Sequence, residues 1–265
     1  MTGKPFQWFQ TDGLCVLRFD ALEQNGFSHA VFARRGGVSS GPYKSLNLGA
    51  NVGDDPQNVA ENRLRAARAL EADSLVMVRQ VHGRRVLAIR REDPVQAGVW
   101  PTGEKADALI TDVPGVFCSV KVADCQPILL ADPQKNVVAA CHSGWRGSVE
   151  NIAAATVSAM TETFGCLPAD LVACVGPSLG PCCAEFVNYR TELPESFLPF
   201  AAGQNRFDFW AITRSQLEGA GLASRNIHVA GICTRCDQEN FFSFRRDRTT
   251  GRNMAAIGVR AKAGG

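Results

Sequence analysis

Val137-Val-Ala-Ala-Cys-His-Ser-Gly-Trp-Arg-Gly-Ser148 is the stretch on which the fold turns. Val137 to Cys141 is an unbroken apolar run opened by two β-branched residues, the pattern of a buried strand. His142 follows it, and Gly144 and Gly147 mark a tight turn. Beyond the turn, apolar residues at positions 149, 152, 153, 157, 160 and 164 keep helical spacing, which predicts a helix from near Ser148. Similar elements lie on both sides. Upstream, Asp55 before Pro56 reads as an N-cap with proline at the first helical position. That helix runs to about Leu70, with Val59, Arg63, Ala66 and Leu70 roughly on one face. Strands are predicted over Leu75–Val81 and Val116–Val122, the second running into Ala123-Asp124-Cys125. Gln126 precedes Pro127 and is biased away from helix. Downstream, strands over Leu171–Val175 and Ile227–Ile232 are separated by a helix from about Phe209 to Ala220, with Gly221 placed to cap it. All-α and all-β folds are thereby excluded, and the class is mixed α and β.

The chain has 265 residues, 45% of them hydrophobic, with fifteen Phe and four Trp. It is long enough to bury a sizeable core, so disorder is excluded as the dominant state. No repeat, low-complexity tract or linker divides it, which predicts one domain over residues 1–265. Lys and Arg number 28 against 26 Asp and Glu, leaving +2. A broad basic surface is not implied, so nucleic acid is not an expected partner. No apolar run approaches the ~18 residues of a membrane helix, and MTGKPFQWFQ has no signal-peptide core. The expectation is a soluble cytoplasmic protein that does not bind membranes. Ten cysteines without an export signal read mostly as reduced packing residues, as in VFCSV and VVAAC.

His82, Cys125 and His142 each fall just past an expected strand end, where a sheet delivers side chains into a shared pocket. Two imidazoles and a thiolate suit zinc, and three protein ligands leave a fourth position open for water. Their gaps of 43 and 17 residues match no compact metal motif. On spacing alone the plainer reading is preferred: His82 in a turn, Cys125 in the core, His142 at a helix entry. Arg146 and the amides near Gly147 suit an anion, or equally a turn in which Trp145 packs and Arg146 is solvated. Cys233-Thr-Arg-Cys236 and the pair Cys182-Cys183 fit a four-thiolate zinc site, or the CxxC fits redox chemistry. A lone CxxC is a weak signal, and buried thiols are the favoured reading. His29 and His228 read as hydrogen-bonded structural residues. Phe241-Phe-Ser-Phe-Arg-Arg-Asp247 suits base stacking or phosphate binding, or a strand with a buried aromatic face and a surface Arg–Asp pair. The pattern does not decide between these.

The segments GGVSSGPYKSLNLGANVGDDP, QVHG, ADCQPILLADP, CHSGWRG, GPSLGPCC, CTRCDQENFFSFRRD and TGRNMAAI occur in that order, from about residue 27 to 257. Together they closely resemble the YfiH-like family, also called the laccase-domain or multicopper polyphenol oxidase family. Its bacterial members are known as purine nucleoside phosphorylases or peptidoglycan editing factors. The resemblance implies an α+β fold, a four-layer α/β/β/α sandwich with mixed sheets, similar to the deamidase domain of the cytotoxic necrotizing factor toxins. It also implies a zinc site at His82, Cys125 and His142, one ion per chain. Cys141 and Ser143 flank His142 where many relatives have Ala, a change that leaves the ligand in place.

Laccase chemistry does not follow from that resemblance. With four histidines and no His-x-His pair, the chain cannot build a trinuclear copper cluster beside a blue-copper site. Adventitious copper at the zinc site is compatible with some phenol oxidation. The implied activity is phosphorolysis of adenosine, inosine, guanosine and methylthioadenosine, with deamination of adenosine. Its implied partners are a nucleoside and phosphate. Candidate residues are Arg146, Arg34 and Arg246 for phosphate, Asn47 for sugar or base, and Asp124 as a proton carrier. The alternative is a cysteine amidase, with Cys125 as nucleophile and His142 as its base, that edits UDP-MurNAc-L-Ser. A third reading is a zinc-stabilised binding partner without turnover.

Overall fold

A computed structural model describes residues 3–261. In chain order the strands are β1 (Phe6–Thr11), β2 (Leu14–Phe19), β3 (Ser28–Phe32), β4 (Ser74–Arg79), β5 (Val86–Ile89), β6 (Gly98–Lys105), β7 (Ala108–Thr111), β8 (Val116–Val122), β9 (Gln126–Asp132), β10 (Val137–Ser143), β11 (Val172–Val175), β12 (Ile227–Val229) and β13 (Asn253–Gly258). The α-helices are α1 (Asp20–Gln24), α2 (Pro56–Leu70), α3 (Trp145–Val149), α4 (Ile152–Phe164), α5 (Tyr189–Glu192), α6 (Phe209–Gly219) and α7 (Phe244–Asp247). A seven-stranded sheet has the order β1-β2-β3-β13-β8-β4-β6, and a six-stranded sheet β12-β11-β9-β10-β7-β5. Both are mixed: β4 runs parallel to β6 and β8, and β10 antiparallel to β7 and β9.

Alternation along each strand sets the layers. On β10, Val138 and Ala140 join Leu17, Phe19, Val31, Val120, Leu129 and Ile257 in a core between the sheets. Val137, Ala139 and Cys141 point the other way and pack with Ile152, Val157 and Met160 of α4 and Leu217 of α6. On the far side of the larger sheet, Ala66, Ala67 and Leu70 of α2 cover Phe32, Leu75, Met77 and Met254. The result is helix, sheet, sheet, helix: the expected four-layer α+β arrangement. Each fully buried Phe or Leu in these layers contributes about 1.5–3 kcal/mol relative to exposure. No helix among the described residues is long and apolar enough to cross a membrane.

The expected elements form, with informative shifts. Asp55 caps α2 by accepting from Gln57 N–H at 2.8 Å, with Pro56 at the first helical position. Gly221, with φ +100°, follows α6 where a left-handed residue is required. Four expectations need correction. His142 lies on β10, not beyond it, because the strand continues to Ser143 and pairs His142 with Pro127. β4 stops at Arg79, so His82 sits in a following turn at φ 62°. The helix expected from Ser148 is two pieces: Asn151 adopts φ 57° and its side chain accepts from Ala154 N–H, ending α3 and capping α4. The expected strand at Ile227–Ile232 ends at Val229.

Candidate functional site

The two sheets meet the chemistry where the chain passes from one to the other. β8, in the larger sheet, ends at Val122, and β9, in the smaller, starts at Gln126. Cys125 lies in that short crossover, with Asp124 held at φ 87° before it. β10 returns antiparallel to β9 and brings His142 to the same end, and the turn after β4 supplies His82. The ligand atoms of His82, Cys125 and His142 all lie within 4.8 Å of one another. The two imidazole rings are edge to face, with centroids 4.8 Å apart. His82 is exposed, Cys125 intermediate and His142 buried, so the group forms a wall open on one side.

Asp107, just before β7, holds the group together and is fully buried. Its carboxylate accepts from His142 Nδ1 at 2.8 Å and from the N–H groups of Val81, His82 and Gly83 at 2.8–3.2 Å. Burial alone would push this carboxyl up. The bonds from His142 and the Gly83 N–H outweigh burial and hold it below its ordinary value. The contact with Asp107 leaves His142 Nε2 as the free ring nitrogen. Burial also pushes the Cys125 thiol up, but the charge and hydrogen bonds of His142 and His82 bring it down to about 6. Against burial, Cys125 and Asp107 hold His142 up at about 9. Gly144 closes one side, since a Cβ there would stand 2.8 Å from His82 Cδ2 and 3.1 Å from Cys125 Sγ.

The triad lines a cleft of about 1020 Å³. Trp145, Phe186, Phe209 and Phe244 contribute aromatic surface, and Arg63, Arg79, Lys121, Arg245, Arg248 and Arg252 contribute positive charge. Several cations are fixed by backbone carbonyls: Arg252 on Thr250 and Gly251, Arg245 on Glu185, Lys121 on Val78. Burial, then Arg63, brings the Lys121 ammonium down to about 8.

The other expected site residues fare differently. Asp124 lines the cleft, but its carboxylate accepts from Thr234 Oγ1 at 2.7 Å and from Arg245 N–H at 2.6 Å. Asn47 is fully buried, donating to Gly49 O and Asp54 and accepting from Gly49 and Arg252 N–H, so it positions Arg252 and offers no free group. Arg146 is exposed and stacks on Trp145, 5.0 Å from the ring centroid. Arg34 and Arg246 lie together in a separate hollow with Asp247. Arg246 is spent on Asp247 and on the carbonyls of Thr234, Arg235 and Phe241. Phe241-Phe242 is a buried loop and not a strand, although the surface Arg246–Asp247 pair forms.

Sequence reasoning missed Asp107, Arg245, Arg248, Arg252 and Lys121. Arg245 was legible only as part of an aromatic–arginine run, and Asp107 only as an acid before an apolar strand. It also misjudged Cys182 and Cys236, while Cys183 and Cys233 are buried as expected. Cys182 and Cys236 are exposed, not buried, and all four sulfurs lie within 4.8 Å of one another.

Of the four histidines, His29 is occupied by Phe19 N–H and Phe27 O and His228 lies on β12, so only two reach the cleft. That donor set does not fit a multicopper centre. Comparison with known proteins adds the lineage. The profile of the family described as multi-copper polyphenol oxidoreductase laccase matches residues 28–260. A Deinococcus radiodurans protein named purine nucleoside phosphorylase is 38% identical over 95% of this chain and 96% of its own length. Purine nucleoside phosphorylase YfiH of Escherichia coli is 35% identical over 89% of this chain and 95% of its own. The crystal structure of YlmD from Geobacillus stearothermophilus superposes with a TM-score of 0.85 at 34% identity, covering 98% of this chain and all of that one. The YfiH structure from Bacillus licheniformis gives 0.86 at 32%, covering 97% and 100%. By fold and by sequence, this chain belongs to the YfiH-like, laccase-domain family.

Proposed function

We propose that the cleft is a zinc-dependent purine nucleoside phosphorylase site, with His82, Cys125 and His142 as the metal ligands. One observation carries this reading: two imidazoles and a thiol converge in a cleft whose lining combines aromatic rings with basic side chains. Two nitrogens and a sulfur fit a tetrahedral zinc ion, which supplies a Lewis acid with one open position when bound. Asp107 keeps the His142 ring in the tautomer that presents Nε2 and orients the turn that carries His82. Phe186, Phe209 and Phe244 offer apolar surface for a purine. Phosphorolysis requires phosphate held against C1′ of the sugar, and the Arg245–Arg248–Arg252 group is the cationic cluster in this lining suited to it. These replace Arg146, Arg34 and Arg246 in that role. The purine nucleoside phosphorylase names of the relatives support the same reading. Deamination of adenosine draws on the same cleft but needs a free proton carrier, and both oxygens of Asp124 are already engaged.

The test supplies adenosine with and without phosphate to protein of measured metal content and resolves the products by chromatography. Phosphate-dependent release of adenine, lost in His82→Ala together with the metal of the cleft, is expected. Metal-loaded protein that leaves adenosine intact refutes the proposal, and inosine formed without phosphate assigns the cleft to deamination.

A second reading rests on the chain Cys125–His142–Asp107. A lowered thiol beside a raised imidazole, itself bonded to a carboxylate, is the arrangement of a cysteine amidase. In that chemistry the Cys125 thiolate attacks an amide carbonyl and His142 protonates the departing amine. A metal-bound thiolate is a poorer nucleophile. Metal-free protein that hydrolyses UDP-MurNAc-L-Ser and is inactivated by alkylation of Cys125 would establish this reading over the first.

A further inference from the structure

Outside the cleft triad, four more sulfurs converge. Cys182 and Cys183 come from the loop after β11, and Cys233 and Cys236 from the loop after β12. Cys236 Sγ is 3.5 Å from Cys183 Sγ and 3.7 Å from Cys182 Sγ. A tetrahedral zinc with Zn–S bonds of ~2.3 Å has sulfur–sulfur edges of ~3.8 Å. A disulfide requires ~2.05 Å.

The backbone builds this arrangement deliberately on both sides. Cys183 and Ala184 N–H donate to Gly180 O at 2.8 and 2.9 Å, and Cys236 and Asp237 N–H donate to Cys233 O at 3.1 and 2.9 Å. Each loop is thus a tight turn that folds its two thiols back. The loops are joined by Ser178 N–H to Ile232 O at 3.1 Å and Thr234 N–H to Ser178 O at 3.0 Å. Gly180 permits the approach, because a Cβ there would stand 2.8 Å from the Trp210 ring and 3.1 Å from Cys233 Cβ.

We propose that Cys182, Cys183, Cys233 and Cys236 form a four-thiolate structural zinc site, distinct from the His82–Cys125–His142 group. Each thiol loses its proton to solvent as the ion binds, and no sulfur changes oxidation state. The site fastens the two loops that build one side of the cleft. Thr234, between the cysteine ligands, donates to Asp124 Oδ1 at 2.7 Å, and Leu179 N–H donates to Asp124 O at 2.8 Å. Asp124 adjoins Cys125, and Leu179, Ala184 and Phe186 line the cleft. The second ion therefore holds the crossover that carries Cys125.

Cobalt titration of metal-free, reduced, full-length protein tests the assignment. The double variant His82→Ala/His142→Ala is expected to take up one cobalt per chain, with the sulfur-to-cobalt charge-transfer bands of a four-thiolate site. Cys182→Ser is expected to lose those bands. Because that variant could misfold, alkylation of the wild type with and without zinc, mapped by mass spectrometry, gives an independent readout. Zinc is expected to protect all four cysteines together. Failure of the double variant to bind cobalt overturns the proposal. So does a Cys183–Cys236 or Cys182–Cys236 disulfide in protein prepared with zinc present, or equal alkylation of the four thiols with and without zinc.

Discussion

Asp107 is one side chain with four jobs, binding the His142 ring and three successive N–H groups of the turn that presents His82. Asp107→Asn keeps the shape but replaces one acceptor with an amide donor, which must face N–H groups. Metal affinity is expected to fall about 10–100-fold, measured by competition with a chelator, while the far-UV circular dichroism spectrum is retained. His29 shows a different single-residue effect. It is buried on β3, accepting from Phe19 N–H at 2.7 Å, and burial brings its imidazole down to about 4 from an ordinary 6.5. Between those values the unfolded chain binds more protons than the folded one. Stability from this group is therefore complete above pH 6.5 and is lost as pH falls through 4, a loss of about 3 kcal/mol. Urea unfolding of His29→Gln at pH 7 and pH 4 should show a smaller acid loss than the wild type by about that amount.

At the scale of the element, the β10–α3 turn decides the geometry of the triad. β10 carries His142 to its end, and Gly144 at the N-cap of α3 leaves room for His82 and Cys125. Gly144→Ala puts a methyl group against His82 Cδ2 and Cys125 Sγ. Its φ of −79° is one that alanine adopts freely, so the strain falls on the site and not on the backbone. Metal content is expected to drop well below one equivalent in the cleft, with thermal stability of the apo fold changed by less than about 1 kcal/mol. Unaltered metal binding would show that the turn has slack the structure does not display. The interruption at Asn151 belongs to the same scale. Continuous helical spacing on both sides concealed it, because a capping side chain and one left-handed residue redirect a helix without disturbing its apolar period.

Across the whole molecule, a chain of net charge +2 concentrates six cationic side chains in the cleft lining, against the single carboxylate of Asp124. A cleft of one sign focuses its field on an anion, and salt screens that attraction. Under the proposed function, raising ionic strength should raise KM for phosphate several-fold and leave KM for the nucleoside nearly unchanged. Steady-state kinetics in both substrates check this. Equal effects on both would place the phosphate site elsewhere. The inter-sheet core is the other whole-molecule property. Leu129 is fully buried there on β9, so Leu129→Ala is expected to cost about 2–5 kcal/mol through the cavity it leaves, read from denaturant midpoints.

Local pattern determined the mixed class, the caps at Asp55 and Gly221, most of α2, α4 and α6, and strands β8 and β11, because those depend on neighbouring residues and on period. Ordered motifs singled out His82, Cys125 and His142, whose ligand atoms the fold brings within 4.8 Å of one another. Tertiary structure decided what those motifs leave open. β9 carries a Pro and a Gln at its start and reads as strand only when β10 and β11 pair with it on either side. Asp107 joins the candidate site through hydrogen bonds to a turn and a strand distant in sequence, and Asn47, Arg34 and Arg246 are each hydrogen-bonded to backbone groups of other segments. The four cysteines lie 54 residues apart at their ends, and nothing local to either pair records the other. Convergence of that kind is a property of how two sheets stack and where their loops return, which no stretch of chain contains by itself.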